Sequence, residues 1–260
     1  MKITFLGTGT SQGVPVIACQ CEVCRSADWH DKRLRTSALL TDDDGNNVIF
    51  DIGPDFRQQM LTNKVDHLDA ILVTHAHRDH VGGLDDIRPF NWTQHRKMEI
   101  YANAEALQSI RHDYHYIFEP HEFPGLPEAN LHDVGDCKAF TIGQFEFTPI
   151  KGMHKYLPVL GYRADAKNGK SVVYITDMNY IPEAEQGKLS NLDVLVINAL
   201  CKEKHFSHFS LPEVLEIIRV HKPKVAYITH VSHMMGCHRQ VESELPEGVH
   251  LAYDNLTVEI

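Results

Sequence analysis

An α/β fold rich in strand is the architecture this sequence predicts, on two observations. Roughly a dozen short apolar or alternating runs of strand length are spread along the chain, while few stretches between them show helical spacing. That is more strand than a doubly wound parallel sheet requires.

The first run, Lys2 to Gly7, alternates and breaks at glycine, as a strand does. Ser37-Ala38-Leu39-Leu40 and Asn47 to Asp51 flank the turn-forming cluster Asp42-Asp43-Asp44-Gly45, so together they read as a hairpin. Ala70 to Thr74 is a continuous apolar run closed by threonine and reads as a buried strand. Strands are assigned on the same grounds to Met98 to Tyr101, Ala139 to Ile150, Val159 to Arg163, Ser171 to Thr176, Val194 to Ile197, Val225 to Thr229 and Leu256 to Ile260. The clearest helix spans Ser210 to His221. Ser210 can cap it, Pro212 suits its first turn and Glu213 stands three after the cap, while Leu211, Val214, Leu215 and Ile218 fall on one stripe.

No linker, low-complexity tract or fixed-period repeat divides the chain, so residues 1–260 are expected to form one domain. With 43% hydrophobic and 23% charged residues it can bury a sizeable core. The formal charge of −10 argues against an extensive nucleic-acid interface, whose affinity comes from Lys and Arg displacing counterions. A small anionic substrate stays compatible with it. Met1 to Gly9 holds a lone lysine and an apolar run too short for a signal peptide, and no segment approaches the ~20 apolar residues of a membrane span. A cytoplasmic location without membrane contact is the expectation, and the six cysteines are then thiols available to metal.

The strongest chemical signal is His75-Ala76-His77-Arg78-Asp79-His80, directly after the run ending at Thr74. Residues two apart share a strand face, so His75 and His77 can converge on one cation; Asp79 and His80, after the chain turns, can reach a second. Gly82-Gly83 then permits close turning of the backbone. A second signal is Cys19-Gln20-Cys21-Glu22-Val23-Cys24, whose clustered thiols suit three legs of a tetrahedral zinc site with a non-local fourth ligand.

Thr74-His75-Ala76-His77-Arg78-Asp79-His80 resembles the HxHxDH signature of the metallo-β-lactamase superfamily. Phe5-Leu6-Gly7-Thr8-Gly9-Thr10, Val48-Ile49-Phe50-Asp51-Ile52-Gly53, His154, Thr176-Asp177 and Thr229-His230-Val231-Ser232-His233 fall in the order expected of it. Within the superfamily the chain is most similar to the PhnP-type cyclic-phosphate phosphodiesterases, with tRNase Z more distant. The resemblance implies a metallo-β-lactamase-type αββα sandwich: two facing mixed sheets, helices outside, metals at one edge. It implies that His75, His77 and His154 hold a first divalent metal and Asp79, His80 and His230 a second. Asp177 bridges the two, and Asp51 supports the site without binding metal. The fourth ligand of the cysteine site is then His233, giving one structural zinc. Imidazole and carboxylate suit Zn, Mn, Fe or Co at the paired site, and the sequence does not choose among them.

Two such cations about 3.5–4 Å apart provide a bridging hydroxide as nucleophile and clamp an in-line displacement at phosphorus. The expected activity is therefore dinuclear-metal-dependent hydrolysis of a small phosphodiester, cyclic or nucleotide-like. Asp79 is counted as catalytic besides being a ligand. His208, in Phe206-Ser207-His208-Phe209-Ser210, is the expected general acid or phosphate ligand: its place before the helix resembles that of an extra active-site histidine in the PhnP type, and imidazole changes charge near neutral pH. His205 competes for that role. Lactonase or thioesterase chemistry is an alternative, as is tRNase Z-like RNA processing, against which stand the acidic charge and the lack of a long basic arm. Arg88 to Lys97 and Tyr114 to Leu126 read as substrate-choosing loops with the histidine and aromatic content of a lid. Family members often form homodimers, an assembly the sequence permits but does not specify.

Overall fold

The strands pair into two seven-stranded sheets in the computed structural model, which describes residues 1–119 and 125–260. The first sheet takes β1 (Lys2–Gly7), β2 (Ser37–Thr41), β3 (Asn47–Phe50), β4 (Ala70–Leu72), β5 (Met98–Ala102) and β6 (Ala129–Asp133). The second takes β7 (Phe140–Ile142), β8 (Phe145–His154), β9 (Leu157–Ala166), β10 (Ser171–Ile175), β11 (Val194–Asn198), β12 (Val225–Thr229) and β13 (Val249–Leu251). Finally β14 (Thr257–Glu259) returns to pair with β1, so the orders are β14-β1-β2-β3-β4-β5-β6 and β13-β12-β11-β10-β9-β8-β7.

Burial of both sheet faces explains why several strands read as unbroken apolar runs. Phe5, Leu40 and Phe50 from the first sheet share one core with Phe147, Tyr162 and Tyr174 from the second, and the Phe50 and Tyr174 rings stack 4.5 Å apart. On its outer face the first sheet packs Leu39, Ile49, Ile71 and Ile100 under Phe56, Phe90 and Leu107. The second packs Val173, Leu195 and Ile228 under Leu211, Val214 and Val241. Those covering residues come from helices, so the layers run helix, sheet, sheet, helix, the αββα order expected.

Parallel pairing places the site. β3 to β6 run parallel to one another, as do β10 to β13. Their carboxyl ends gather on one rim of the sandwich, where His80 beyond β4 faces Asp177 beyond β10.

Several local expectations are corrected. Ala139 to Ile150 is not one strand: the chain reverses at Gly143, whose φ of 58° suits a residue without a Cβ, and makes the β7–β8 hairpin. β6 has the polar composition of an edge strand and β13 is very short, so neither gave an apolar run to read. Arg88–Gln94 is a helix with Phe90 in the core, not a loop. Of the stretch from Tyr114 to Leu126, His115–Phe118 is helical, and residues 120–124 lie outside the described residues. The helix Leu211–His221 is as expected, with the Ser210 backbone N–H donating to Glu213 Oε2 at 2.9 Å. Among the described residues no helix is long and apolar enough to cross a membrane.

Candidate metal centre

Four of the expected ligands of the paired site stand at a strand end or just beyond one, while Asp79 and His80 lie on the short helix Arg78–Val81 that His77 precedes. His75 follows β4, Asp177 follows β10 and His230 follows β12, while His154 is the last residue of β8. Asp51, Asp177 and His230 all take left-handed backbone, with φ of 60°, 53° and 55°. That conformation costs a residue with a Cβ about 1–2 kcal/mol. Such strain persists only where the surroundings enforce it, and it concentrates at functional sites.

Hydrogen bonds fix which nitrogen each histidine presents. Asp51 is fully buried and accepts from the Thr74 backbone N–H at 2.8 Å, the Thr74 hydroxyl at 2.9 Å and His80 Nδ1 at 2.7 Å. The Thr74 hydroxyl has one proton and gives it to Asp51, so toward His75 Nδ1, 3.0 Å away, its oxygen accepts. His154 Nδ1 donates to the Ser207 carbonyl at 2.7 Å. In all three rings the Nδ1 proton is thus committed, and Nε2 is the nitrogen whose lone pair is left to a proton or a metal. Asp51 has both oxygens occupied, which suits an orienting group and not a ligand.

These lone pairs converge where nothing in the chain satisfies them. His75 Nε2 and His80 Nε2 are buried without a hydrogen-bond partner, and His80 Nε2 lies 3.1 Å from both Asp79 Oδ2 and Asp177 Oδ2. Lone pairs this close repel unless a positive charge sits among them, so the donor set fits divalent metal. Burial holds His75 well below the ordinary imidazole range, in the neutral form a ligand needs. Burial disfavours charge on His80 too, yet Asp177, Asp51 and Asp79 overcome it and hold that ring well above its ordinary value, the electrostatic signature of a place that demands a cation.

Around this point the His75, His77 and His154 rings lie 4.5 to 5.7 Å apart. On the other side the His230 ring stacks 5.8 Å from His80, with Nδ1 2.9 Å from Asp177 Oδ2. Asp177 falls in two groups whose ligand atoms lie within 4.8 Å of one another, His75-His80-Asp177 and His154-Asp177-His208. These groupings cut across the two expected ligand sets, since His75 groups with His80 and His154 with His208, while His77, Asp79 and His230 join neither group.

His208 is buried at the cluster. Its Nδ1, also without a hydrogen-bond partner, is 3.6 Å from Asp177 Oδ1, and its ring is 4.6 Å from His154 and 5.0 Å from His230. Burial, with His230 beside it, pushes it down to about 3, so it is neutral in this arrangement. The His205 ring lies 5.3 Å from that of His208. Beside Asp79 opens a cleft of about 480 Å³ lined by Ser11, Arg35, Arg78 and Tyr114. Asp55 holds Arg35 at 3.2 Å and Asp113 holds Arg78 at 3.4 Å. Sequence reasoning missed both arginines. Arg78 sits inside the histidine motif, where its position was readable; nothing local marked Arg35.

Away from this rim, Cys19, Cys21 and Cys24 place their Sγ atoms 3.3, 3.3 and 3.5 Å from His233 Nδ1, a four-ligand grouping of the kind a structural zinc takes. The Cys24 backbone and His233 hold the Cys21 thiol down to about 6, toward the thiolate such a site needs. The Thr10 backbone N–H donates to the Val231 carbonyl at 3.2 Å, which ties the cysteine loop to the segment carrying His230 and His233. Cys137, Cys201 and Cys237 join no such group among the described residues.

Comparison with known proteins fits this geometry. The β-lactamase superfamily domain model matches residues 46–231. A structure described as a new diphosphatase from the PhnP family is 36% identical and superposes with a TM-score of 0.89, covering 99% of this chain and 97% of its own. Zn²⁺-bound PqqB from Methylobacterium extorquens, 18% identical with a TM-score of 0.83 over both whole chains, shares the fold. The octanoyltransferase of Porphyromonas gingivalis is 40% identical over 258 residues, 98% of this chain but 51% of its own length. The chain spans about half the length of the curated relatives it matches.

Proposed function

The chain belongs to the metallo-β-lactamase superfamily, close to its PhnP type, and from that premise we propose that this metal-dependent hydrolase cleaves small phosphodiesters, cyclic or nucleotide-like. The observation that carries the reading is Asp177, one buried carboxylate with Oδ2 3.1 Å from His80 and 2.9 Å from His230 and Oδ1 3.6 Å from His208. Two divalent cations, Zn or Mn, bound there supply an activated water and charge neutralisation for in-line displacement at phosphorus.

The chain's own residues do the rest. Thr74, Asp51 and Ser207 keep the ligand imidazoles in the tautomer that offers Nε2. Arg35 and Arg78, each held by a carboxylate, line the cleft beside Asp79 and offer guanidinium N–H donors that suit phosphate oxygens. His208, neutral while the site holds no anion, regains basicity when a phosphate oxygen lies against it, and in that state donates a hydrogen bond to that oxygen or a proton to the leaving alkoxide. The PhnP-family diphosphatase, 36% identical over nearly the whole chain, supports phosphorus chemistry. Octanoyl transfer is the activity of a protein about half of whose length this chain spans.

The test is a hydrolysis panel on metal-reconstituted protein. A 2′,3′-cyclic nucleotide, bis(p-nitrophenyl) phosphate, a nucleoside diphosphate, a lactone, an octanoyl thioester and a precursor tRNA separate the readings. Turnover of the diesters at least 100-fold above the carbonyl substrates is expected. Preference for the lactone or thioester would overturn the assignment, and preference for the precursor tRNA would move it to RNA processing.

A further inference from the structure

Apolar side chains are rarely left in water without a use when they cluster, and three exposed aromatics gather beside the histidines. Tyr156 is 84% exposed, Phe206 67% and Tyr180 55%. Two of them belong to segments that also carry site histidines: Tyr156 is in the turn after His154, and Phe206 is in the loop before His208.

Those two segments are locked to each other. The Lys155 backbone N–H donates to Asn179 Oδ1 at 2.9 Å, and Asn179 Nδ2 donates to the Phe206 carbonyl at 3.1 Å. The His154–Ser207 bond described above is the third tie. Lys155 takes left-handed backbone, φ 59°, at the tip of the β8–β9 hairpin. Its Nζ lies 5.0 Å from the centre of the Tyr156 ring and 4.9 Å from that of Phe206, so one ammonium serves both aromatic faces. From Phe206 a wall of rings leads inward: His205 at 4.5 Å, then His208 at 5.3 Å, then His154 at 4.6 Å.

We infer that Tyr156, Phe206 and Lys155 form a subsite for the nucleobase of the phosphoester substrate, the base stacking on the exposed rings while the phosphoryl group lies at the histidine cluster. The inference rests on the phosphoester reading above and narrows it to nucleotides. A flat π-system is the occupant that matches rigid exposed rings next to a cation, because stacking uses the whole ring face and tolerates any base. A sugar or alkyl group gains little from that surface. The pre-tied backbone means that little loop ordering is needed on binding.

Binding and turnover test it separately. By calorimetry, adenosine 5′-monophosphate should bind the metal-loaded protein about 10-fold more tightly than ribose 5-phosphate, the lower range for one stacked base. In the Tyr156→Ala/Phe206→Ala double variant that advantage should fall below about 2-fold with ribose 5-phosphate affinity unchanged. The conservative Tyr156→Phe/Phe206→Tyr pair should keep it. Equal affinity for the two ligands in the parent protein, binding of neither, or an equal loss on both in the alanine variant overturns the subsite. Hydrolysis of 2′,3′-cyclic AMP against methyl riboside 2,3-cyclic phosphate tells the two readings apart. If neither is cleaved while the binding preference holds, phosphodiester hydrolysis fails and the base subsite stands. If both are cleaved with equal kcat/KM and bound equally, the subsite alone fails.

Discussion

Replacing Asp51 with asparagine should weaken the metal position at His80 without unfolding the protein. The carboxylate is fully buried and uses both oxygens: Oδ1 accepts the Thr74 N–H, and Oδ2 accepts the Thr74 hydroxyl and His80 Nδ1–H. An amide of the same shape has one acceptor end and one donor end. If its oxygen faces Thr74, its NH₂ faces His80 Nδ1, which must then accept. The His80 proton moves to Nε2, and the lone pair between Asp79 and Asp177 is lost. If the amide is flipped, the NH₂ opposes the Thr74 N–H instead. Either way one donor is mismatched, about 1–3 kcal/mol of stability, or a fall in Tm of roughly 2–10 °C for a chain of this size. The effect on metal should be larger in kind: loss of a partner that orients a ligand histidine weakens binding about 10–100-fold.

The assay is metal content per chain, by mass spectrometry, across a series of buffered free-zinc concentrations. One metal of the pair should need about 10–100-fold more free zinc for half-occupancy, while the zinc at the cysteine loop stays bound. Burial pushes the Asp51 carboxyl upward, against His80 and Thr74, which favour its ionised form. An unchanged occupancy curve would mean that Asp51 is already protonated in the native protein and that His80 is not oriented in this way.

Four further outcomes are expected. Cys21→Ser should remove one zinc per chain and lower the melting temperature, whereas unchanged metal content would rule out a zinc site at the cysteine loop. Asp177→Ala should lower occupancy of both active-site metals and activity together, and two retained metals with near-normal turnover would show that it bridges nothing. His208→Ala should retain metal and lose roughly 10²–10⁴-fold in kcat on an alkyl or ribose diester, but far less on bis(p-nitrophenyl) phosphate; equal losses would assign it to phosphate positioning. Burial raises Asp254 to about 6 although Leu34, Thr8 and Arg33 oppose the rise. The folded state therefore holds a proton that an unfolded carboxyl releases near 4, so stability should fall as pH rises from about 4 to 6, and a Tm–pH profile of Asp254→Asn should lack that component.

What could be read from the chain was local. The histidine motif, the strand-ending Asp177 and His230, and the three cysteines each advertise themselves within a few residues, because a strand end gives its ligands a fixed direction and its apolar run marks where it stops. Legibility failed where one residue decided a turn or where burial came from elsewhere. Gly143 alone splits the expected strand into the β7–β8 hairpin, and the Arg88–Gln94 helix is held by Phe90 meeting Phe56, a contact no local pattern shows. Choosing between His205 and His208 needed the backbone path: the Phe209 N–H donates to the Met178 carbonyl at 2.8 Å, next to Asp177, and so draws His208 in while His205 stays outside.

The tautomers were invisible for a stronger reason, since residue identity says that an imidazole is present but not which nitrogen faces the metal. Here the answer comes from groups with other duties. Thr74 closes the strand that leads to the motif, Asp51 ends the neighbouring strand in left-handed backbone, and Ser207 belongs to the loop carrying Phe206 and His208. The His75, His80 and His154 rings are therefore each oriented by an element that also shapes the sheet rim or the loop carrying His208. Moving the 205–208 loop would shift the carbonyl that fixes His154, and disturbing His154 would release the loop that holds His208 in place. In this arrangement the metal ligands and the substrate-facing residues are not independent modules, and coupled losses of occupancy and turnover are the behaviour to expect from changes on either side.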